Sequence, residues 1–502
     1  MPTGEHTIVR GGLLLDIQGR TTRPADILIE GDTVREIGPP GMDGPGEAKT
    51  VDATGKLAMT GLVNAHTHGH GAIGKGLGDK WSLEHLLNHA PWTSSGFTLE
   101  DKRLAAQINA AELVLKGCTA AYDMYFEFPR PSLEGLEAAG RGYADVGVRA
   151  VIAPMMADSN LFRAIPGLMD AIPEAVRPHV ERLRATPYEE SVEACRQILH
   201  GWPFDRAQVA PALGPTIPHH CSDPFLAACR DLAADYEVGV QMHLAESKVQ
   251  AVTGIKRYGK TLARHLDDLG LIGPRFTGAH CVWLDEDDMK MMADKGASIA
   301  HNPGSNLRLG SGVAPARAML DHGLTVGIGT DGSASSDNQN MFEAMRFAAF
   351  VSRIVTRRYD DWLGTWEVLR MATEGSAVVL GMGDLIGCLA PGYKADIVFL
   401  DLSNVNFLPL NDAANQIVNC EDSSAVDSVM IGGRMVLAGR RFVDFDYDGL
   451  RTKAQAACER ILSGNAEVRA RMEAVEEFVS LHCIGMMGEP YHVHRRIDGG
   501  EA

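Results

Sequence analysis

The sequence predicts an α/β protein built on a (β/α)8 TIM barrel, with a small β-sandwich domain formed by the N- and C-terminal segments. Between residues 59 and 385, eight strand-like runs alternate with helix-like stretches, which favours parallel strands joined by crossover helices. Several of these runs end in histidine or aspartate, and catalytic residues of such barrels lie at the C-terminal ends of the strands. Strands separated by Gly and Asp turns occur at both ends of the chain.

The two ends of the chain share one pattern of short strands and turns. Strands are predicted at residues 7–12, 25–32, 34–39 and 50–52, and again at 395–401, 427–433 and 435–439. Residues 1–58 are too few for a complete domain, so we expect them to join residues 386–449 in one sandwich. Residues 450–502 are predicted to form a helical tail.

The barrel region, residues 59–385, supplies the candidate functional groups. Its eight predicted strands are residues 61–68, 118–124, 148–154, 208–214, 238–243, 276–280, 297–302 and 325–331. The polar residues at or near their C-terminal ends are His66, His68, Asp123, His243, His280, Asn302 and Asp331. An insertion at residues 158–202, helical in pattern from 172 to 199, either shapes the pocket or forms a peripheral helix.

Composition and charge exclude several classes of partner. The 502 residues include 65 acidic and 47 basic side chains, a net charge of −18, which disfavours nucleic acid and anionic membranes. Nine cysteines without a Cys-x-x-Cys pair indicate reduced thiols. No signal-peptide core or membrane-length apolar run is evident, so we expect a cytoplasmic protein.

His66 and His68 end the first barrel strand, in the run GLVNAHTH. Residues i and i+2 of a strand point to the same face, so both imidazoles can converge on one metal ion. The pair therefore predicts half of a metal site. A second His-x-His, at His492 and His494, follows no strand and has no further ligand nearby in the sequence, so we expect no metal there.

Longer motifs resemble a known family. The segments GLVNAHTH, QMHLAES, GAHCVWL, HNPGSNLRLGSGVAP, GTDGSASSDNQNMFEAM and GCLAPGYKADIVFLD are similar to those of the amidohydrolase superfamily. Within it they most resemble the branch of heterocycle deaminases and chlorohydrolases, which includes S-adenosylhomocysteine and methylthioadenosine deaminases and s-triazine hydrolases. The resemblance covers residues 6 to about 445.

The resemblance implies one divalent metal per chain, Zn²⁺ or else Fe²⁺, bound by three histidines and one aspartate. The ligands would be His66, His68, His243 and Asp331, a donor set that leaves a position for water. Residues 207–214 contain no lysine that could be carboxylated to bridge two metals, which favours a mononuclear site. Asp123 either hydrogen-bonds a ligand histidine or has a structural role in a turn.

The resemblance also implies three residues that act on protons. Glu246 would take a proton from the metal-activated water and pass it to a ring nitrogen. His280 would stabilise developing charge or carry a proton, and Asp331 would deliver a second proton to the leaving group. A helix-start role for Glu246 and a core role for His280 are the structural alternatives.

Candidate substrate contacts follow from the loops after the strands. They are Lys75, Trp92, Thr216, His219, Asn302 and Asn306, of which the two asparagines could instead cap a helix. Nucleoside-deaminating relatives carry a PHAPYTCS-like segment after strand 4 and an Arg-Gly pair after strand 1. In this chain the first segment reads PTIPHHCS, with Thr216 in place of the usual histidine, and Lys75 stands where the arginine would be. These departures favour a ring without a recognised ribose, such as a purine base, pterin, pyrimidine or triazine.

The predicted function is hydrolytic removal of an amino group from a small heterocycle, by a protein that is a homo-oligomer. Retention of Glu246, His280 and Asp331 favours a nitrogen leaving group, because chloride can leave without a proton. Two alternatives stay open. One is hydrolysis of an amide, urea or carbamate, or dechlorination, on the same scaffold. The other is a non-catalytic binding protein on this fold.

Overall fold

A computed structural model describes residues 5–496 of the chain. It contains eighteen strands within those residues, numbered here in chain order. They are β1 (His6–Asp16), β2 (Thr21–Glu30), β3 (Thr33–Gly38), β4 (Lys49–Asp52), β5 (Lys56–Thr60), β6 (Leu62–Thr67), β7 (Cys118–Phe126), β8 (Arg149–Met156), β9 (Val209–Pro211), β10 (Gly214–Pro215), β11 (Val240–Leu244), β12 (Phe276–His280), β13 (Ser298–His301), β14 (Thr325–Ile328), β15 (Ile397–Asp401), β16 (Val426–Ile431), β17 (Arg434–Ala438) and β18 (Arg441–Phe442).

The α-helices of the same residues surround these strands. They are α1 (Leu83–Thr93), α2 (Leu99–Leu115), α3 (Leu133–Val146), α4 (Leu161–Ala164), α5 (Leu168–Ala171), α6 (Arg177–Glu181), α7 (Tyr188–His200), α8 (Asp223–Asp235), α9 (Lys248–Tyr258), α10 (Leu262–Asp268), α11 (Glu286–Asp294), α12 (Pro303–Arg308), α13 (Ala316–Asp321), α14 (Met341–Val355), α15 (Thr365–Arg370), α16 (Ser376–Val379), α17 (Ala413–Asn419), α18 (Tyr447–Gly464) and α19 (Ala466–Met487). Among residues 5–496, no helix combines the length and the apolar character needed to cross a bilayer.

The strands predicted in the barrel region form two parallel sheets. One has the order β10-β8-β7-β6, with β9 also paired to β8, and the other has the order β11-β12-β13-β14. A single bridge between Leu213 and Val240 connects them. On the opposite side, the amide of Asp331, after β14, donates to the carbonyl of His66 at 2.9 Å. Helices α3, α8, α9 and α11 lie between successive strands, as parallel pairing requires.

The N- and C-terminal strands share one nine-stranded sheet, in the order β18-β17-β16-β15-β5-β1-β2-β3 with β4 also paired to β1. The two ends of the chain meet where β5 pairs antiparallel with β15. The sequence predicts a small β-sandwich shared by the two ends of the chain, and the described strands of both ends are hydrogen-bonded in this one sheet. Strand β1 pairs with β4 through its first half and with β5 through its second half. The two halves are separated by a bulge between Val9 and Gly12, where Gly11 has a φ of 79°.

The insertion at residues 158–202 is not the continuous helix that its pattern predicts. Its helices α5, α6 and α7 are separated, because Pro173 and Pro187 lie in the gaps between them. Proline has no backbone N–H to donate and its ring clashes with the preceding turn, so it ends a helix that comes before it. The C-terminal tail does form helices, α18 and α19. Apolar residues of α19, such as Val475 and Val479, pack against Leu161 and Leu168 of the insertion.

Candidate active site

The histidine pair at the end of β6 is held in a defined tautomer. The Nδ1–H of His68 donates to the carbonyl oxygen of Met124 at 2.7 Å, and Nδ1 of His66 lies 2.7 Å from Oε1 of Gln241. The Gln241 amide nitrogen donates to the carbonyl of Ala65, so its Oε1 is the acceptor from His66. Neutral rings bonded in this way carry their lone pairs on Nε2.

His243, on β11, has the same arrangement. Its Nδ1–H donates to the carbonyl of Thr216 at 2.7 Å, which leaves its Nε2 only 3.1 Å from Nε2 of His68. Oδ1 of Asp331 lies 3.2 Å from Nε2 of His68 and 3.5 Å from Nε2 of His66. Three nitrogen lone pairs and a carboxylate oxygen therefore face one another, and a cation between them would relieve their mutual repulsion.

Asp331 follows β14 and is fixed by two short hydrogen bonds. Its Oδ2 accepts from the Ser305 hydroxyl and its Oδ1 from the Gly332 amide, both at 2.6 Å. Its φ of 64° is unusual for a residue with a side chain, which marks a constrained turn. Although burial works in the opposite direction, the imidazoles of His66 and His68 hold the pKa of Asp331 well below its usual range.

Glu246 lies just past β11, buried next to these ligands. Its Oε2 is 3.7 Å from Nε2 of His280 and has no hydrogen-bond partner among the described residues. Burial, followed by the charges of Asp331 and Glu84, raises the pKa of Glu246 well above its usual value. A carboxyl group with a raised pKa and a free oxygen is suited to proton transfer.

His280 ends β12 and faces both carboxyl groups. Its Nδ1 lies 2.9 Å from Oδ1 of Asn306, and its Nε2 lies 3.9 Å from Oδ2 of Asp331. Burial lowers the pKa of His280 to about 3, so the ring is neutral. With Nδ1–H donating to Asn306, its Nε2 is an acceptor that points toward Glu246 and Asp331.

These groups form the floor of a cavity of about 470 Å³, a size typical of small-molecule sites. His68, His243, Glu246, His280 and Asp331 line the floor. The walls are mainly apolar, and they are contributed by α1, the loop after β7, the 158–202 insertion and α19. Wall residues include Leu83, Leu86, Leu87, Phe126, Phe128, Met155, Met156, Leu161, Phe162, Thr216, His220, Val468 and Met472.

Lys75 and Trp92, two of the predicted substrate contacts, do not line the cavity. The ammonium of Lys75 pairs with Glu112 on α2, which turns it away from the floor. The indole of Trp92 is buried and donates to Nδ1 of His89, within the contact between α1 and α19. The sequence alone did not show which neighbours would bind these two side chains.

Three further predicted contacts also lie outside the cavity wall. His219 is buried behind it, and its carbonyl accepts from Arg257. Asn302 is buried below the floor at the start of α12, and Asn306 holds Nδ1 of His280 rather than a substrate. Thr216 is the one member of the predicted set of six that lines the cavity.

Asp123 and the second His-x-His take structural positions. Asp123 accepts hydrogen bonds from the Gly69 amide and the Tyr143 hydroxyl, both at 2.8 Å, so it holds the turn after β6 rather than a ligand imidazole. His492 contacts Asp285, and His494 is exposed. The metal-competent clusters among residues 5–496 involve neither of these tail histidines.

Several cavity residues were missed by sequence reasoning. His220 lines the wall where His219 was expected, because a short 3-10 turn at Pro218–His220 places the two neighbouring rings on different sides. His70, two residues beyond His68, also lines the cavity. The sequence HTHGH, in which His70 comes two residues after His68, could have predicted this position. Val468 and Met472 carried no signal, since only tertiary packing brings α19 to the site.

Comparison with known proteins gives a consistent picture. A model of the amidohydrolase family matches residues 57–436. A 5-methylthioadenosine/S-adenosylhomocysteine deaminase from Syntrophomonas wolfei is 30% identical over 441 residues, which cover 87% of this chain and 94% of that protein. This match and the family model both cover the predicted site residues.

Two solved structures resemble the whole described fold. An adenosine deaminase from Xanthomonas campestris with bound zinc superposes with a TM-score of 0.81 at 26% identity, covering 92% of this chain and 100% of that one. An atrazine chlorohydrolase from Arthrobacter aurescens TC1, complexed with zinc, gives a TM-score of 0.81 at 28% identity, covering 90% and 100%. The fold thus occurs in zinc-containing enzymes with different leaving groups.

Proposed function

Since the chain belongs to the amidohydrolase family, we propose that it is a metal-dependent aminohydrolase that removes an exocyclic amino group from a nitrogen heterocycle and releases ammonia. The observation that carries this proposal is the convergence of three Nε2 lone pairs and the Asp331 carboxylate on a cavity floor beside Glu246. The three imidazoles and the Asp331 carboxylate would bind a cation, and the unpaired Glu246 carboxyl group would transfer protons.

The residues present fit one divalent ion. Nε2 of His66 is buried and has no hydrogen-bond partner among the described residues, and each ligand ring is oriented through its Nδ1. A set of three imidazoles and one carboxylate suits Zn²⁺ or Fe²⁺. We propose His66, His68, His243 and Asp331 as the ligands. Bound there, the ion would polarise a water molecule so that it can attack near neutral pH.

The protein side chains would then transfer the two protons of the attacking water to the substrate. Glu246 takes a proton from the attacking water and donates it to a ring nitrogen, which makes the ring carbon electrophilic. The neutral His280 accepts a hydrogen bond through Nε2, first from the water and then from the hydroxyl of the tetrahedral intermediate, and so holds both in position. Asp331 takes the second proton of the water and delivers it to the amino group, which leaves as ammonia while the ring carbon becomes a carbonyl.

The intact proton relay favours nitrogen over chloride as the leaving group. An amine is a poor leaving group until it is protonated, and His280 lies within about 4 Å of both carboxyl groups that would move the protons, Glu246 and Asp331. The deaminase name of the relative in Syntrophomonas wolfei supports the same choice. A non-catalytic protein would have no need for a buried, unpaired carboxyl group at the cavity floor.

We propose adenosine-type nucleosides as the first substrate class to test. The sequence argument against a ribose depended on Lys75 and Thr216, but Lys75 pairs with Glu112 outside the cavity and so says nothing about a sugar. The cavity volume of about 470 Å³ and its apolar walls would suit a purine with an apolar substituent on its sugar. The relatives with adenosine-type names support this class.

The test is a screen of the zinc-loaded enzyme for ammonia release. Substrates should include adenosine-type nucleosides with 5′ substituents, purine bases, pterins, aminopyrimidines, aminotriazines, ureas and an aryl chloride. Deamination of at least one heterocycle, with kcat/KM far above that for the ureas and the chloride, is the expected result. Efficient chloride or urea hydrolysis without any deamination would overturn the proposal.

Three features of the molecule stay proposals. The division into a barrel at residues 59–385, a β domain at 1–58 and 386–449, and a tail at 450–502 is supported by the two linked parallel sheets and the shared nine-stranded sheet. The predicted homo-oligomer and cytoplasmic location stay predictions. Size-exclusion chromatography with light scattering tests the oligomeric state.

A further inference from the structure

The segment after α19, residues 491–496, lies across two loops, residues 281–285 after β12 and residues 309–313 after α12. It is beyond residues 57–436, which the family model matches. Tyr491 packs edge-on against Trp283, with ring centroids 6.0 Å apart, and His492 lies 2.8 Å from a carboxylate oxygen of Asp285. Residues of this segment are not among those that line the cavity. Any effect of the segment on the reaction must therefore pass through the residues that it contacts, among them these two loops.

Arg495 makes the central contacts of this segment. Its Nε donates to the carbonyl of Val282 at 3.0 Å and its Nη2 to the carbonyl of Leu284 at 2.8 Å. Its own carbonyl accepts from the amide of Val313 at 2.7 Å. Within residues 5–496 its side-chain hydrogen bonds both go to backbone carbonyls of residues 282–284, so the planar guanidinium braces one loop at two points rather than neutralising a carboxylate.

The first of the two loops, residues 281–285, directly follows His280. Its amides tie it to the end of β11, because Cys281 donates to Leu244 at 3.0 Å and Trp283 donates to Ala245 at 2.8 Å. The φ angles of His280 and Cys281 are 68° and 52°, a region that residues with side chains rarely adopt. Such a conformation persists only where the surroundings hold it.

The second loop, residues 309–313, supports Asn306, the residue that contacts Nδ1 of the His280 ring. The Ser311 amide donates to the carbonyl of Asn306 at 2.8 Å, and the Ser311 carbonyl accepts from the Trp283 indole at 2.9 Å. Asn306 in turn holds Nδ1 of His280. The Arg495 side chain thus holds the loop that follows His280, and the Trp283 indole links that loop to the one that supports Asn306, the partner of the His280 ring.

We propose that Arg495 is a positioning residue for His280: its side chain fixes the loop at 281–285 from outside the cavity, and Trp283 passes this constraint to the loop at 309–313. The role in turnover rests on the proposed function, whereas the effect on the loops does not. It makes the C-terminal segment a part of the catalytic apparatus although no residue of it touches the substrate. Small displacements of a catalytic group can cost about a hundred-fold in rate, so such a contact matters.

The kinetic test compares Arg495→Ala and Arg495→Lys with the matched control His494→Ala, which changes an exposed neighbour. In Arg495→Ala we expect kcat to fall by about ten- to a hundred-fold with KM little changed, since the cavity wall is intact. Arg495→Lys should recover part of the loss, because an ammonium can still reach a carbonyl. Combined with His280→Asn, the Arg495→Ala change should cost nothing further. A full additional loss in the double variant would contradict the role.

A second measurement needs no substrate. Hydrogen exchange followed by mass spectrometry should show faster deuterium uptake in the peptide covering residues 276–285 of Arg495→Ala, and a smaller increase in residues 303–314, where the backbone contact of residue 495 to Val313 remains. Other peptides and the metal content should be unchanged. Unchanged uptake in residues 276–285 would overturn the proposal, even if no substrate is found for the wild type. A wild type without deaminase activity but with the expected exchange would instead count against the proposed function.

Discussion

Replacing Glu246 with glutamine tests the proposed chemistry most directly. The amide keeps the shape of the side chain but cannot take a proton from water. The carboxyl oxygen Oε2 has no hydrogen-bond partner among the described residues, so the substitution breaks no contact there. Because burial and the neighbouring carboxylates already disfavour the charged form of Glu246, a neutral amide should leave the free energy of unfolding unchanged or slightly higher.

The loss of activity should be large. General acid-base groups contribute about 10²–10⁴-fold in rate, equal to about 3–5 kcal/mol in the activation free energy. We expect Glu246→Gln to lose kcat by this factor while retaining its metal, because the four proposed ligands do not include Glu246. The drop should appear in kcat more than in KM, since the proton is transferred only in the transition state.

The assay measures ammonia release, metal content and thermal unfolding on the same preparations. Glu84→Gln is the matched control, since Glu84 is also buried but accepts hydrogen bonds from the hydroxyls of Ser82 and Ser247. That control should lose far less activity than Glu246→Gln. A Glu246→Gln enzyme with near wild-type kcat would refute the reasoning, and loss of the metal would make Glu246 a ligand.

Three other outcomes are expected. His68→Ala should reduce bound zinc from about one ion per chain, as measured by plasma emission spectrometry, and two tightly bound ions in the wild type would contradict a mononuclear site. Asn306→Leu should lower kcat and leave the zinc content unchanged, because it removes the partner of His280 Nδ1. Arg149→Ala should lower the free energy of unfolding by about 3–5 kcal/mol in urea titrations, since Asp396 would remain buried and unpaired; an effect below 1 kcal/mol would be inconsistent with this pairing.

The sequence alone predicted the parts of the molecule whose signal is local. The alternation of strand-like and helix-like runs gave parallel strands close to their observed bounds, and strand ends brought His66, His68, His243, His280 and Asp331 to one place. This works because parallel strands direct their C-terminal ends to the same edge of a sheet, whatever the intervening helices do. The family resemblance reached the same site.

Only the tertiary structure decided which side chains surround the cavity. Lys75 points away from the cavity because its ammonium pairs with Glu112 on α2. Asn306 contacts the His280 ring rather than a substrate, because α12 places its side chain next to Nδ1 of that ring. Met472 and Arg495 come from a tail that is far from His280 along the chain, yet one lines the cavity and the other holds the loop after β12. Such roles arise from packing between distant segments, and no local pattern encodes the distance between two side chains that meet only after folding.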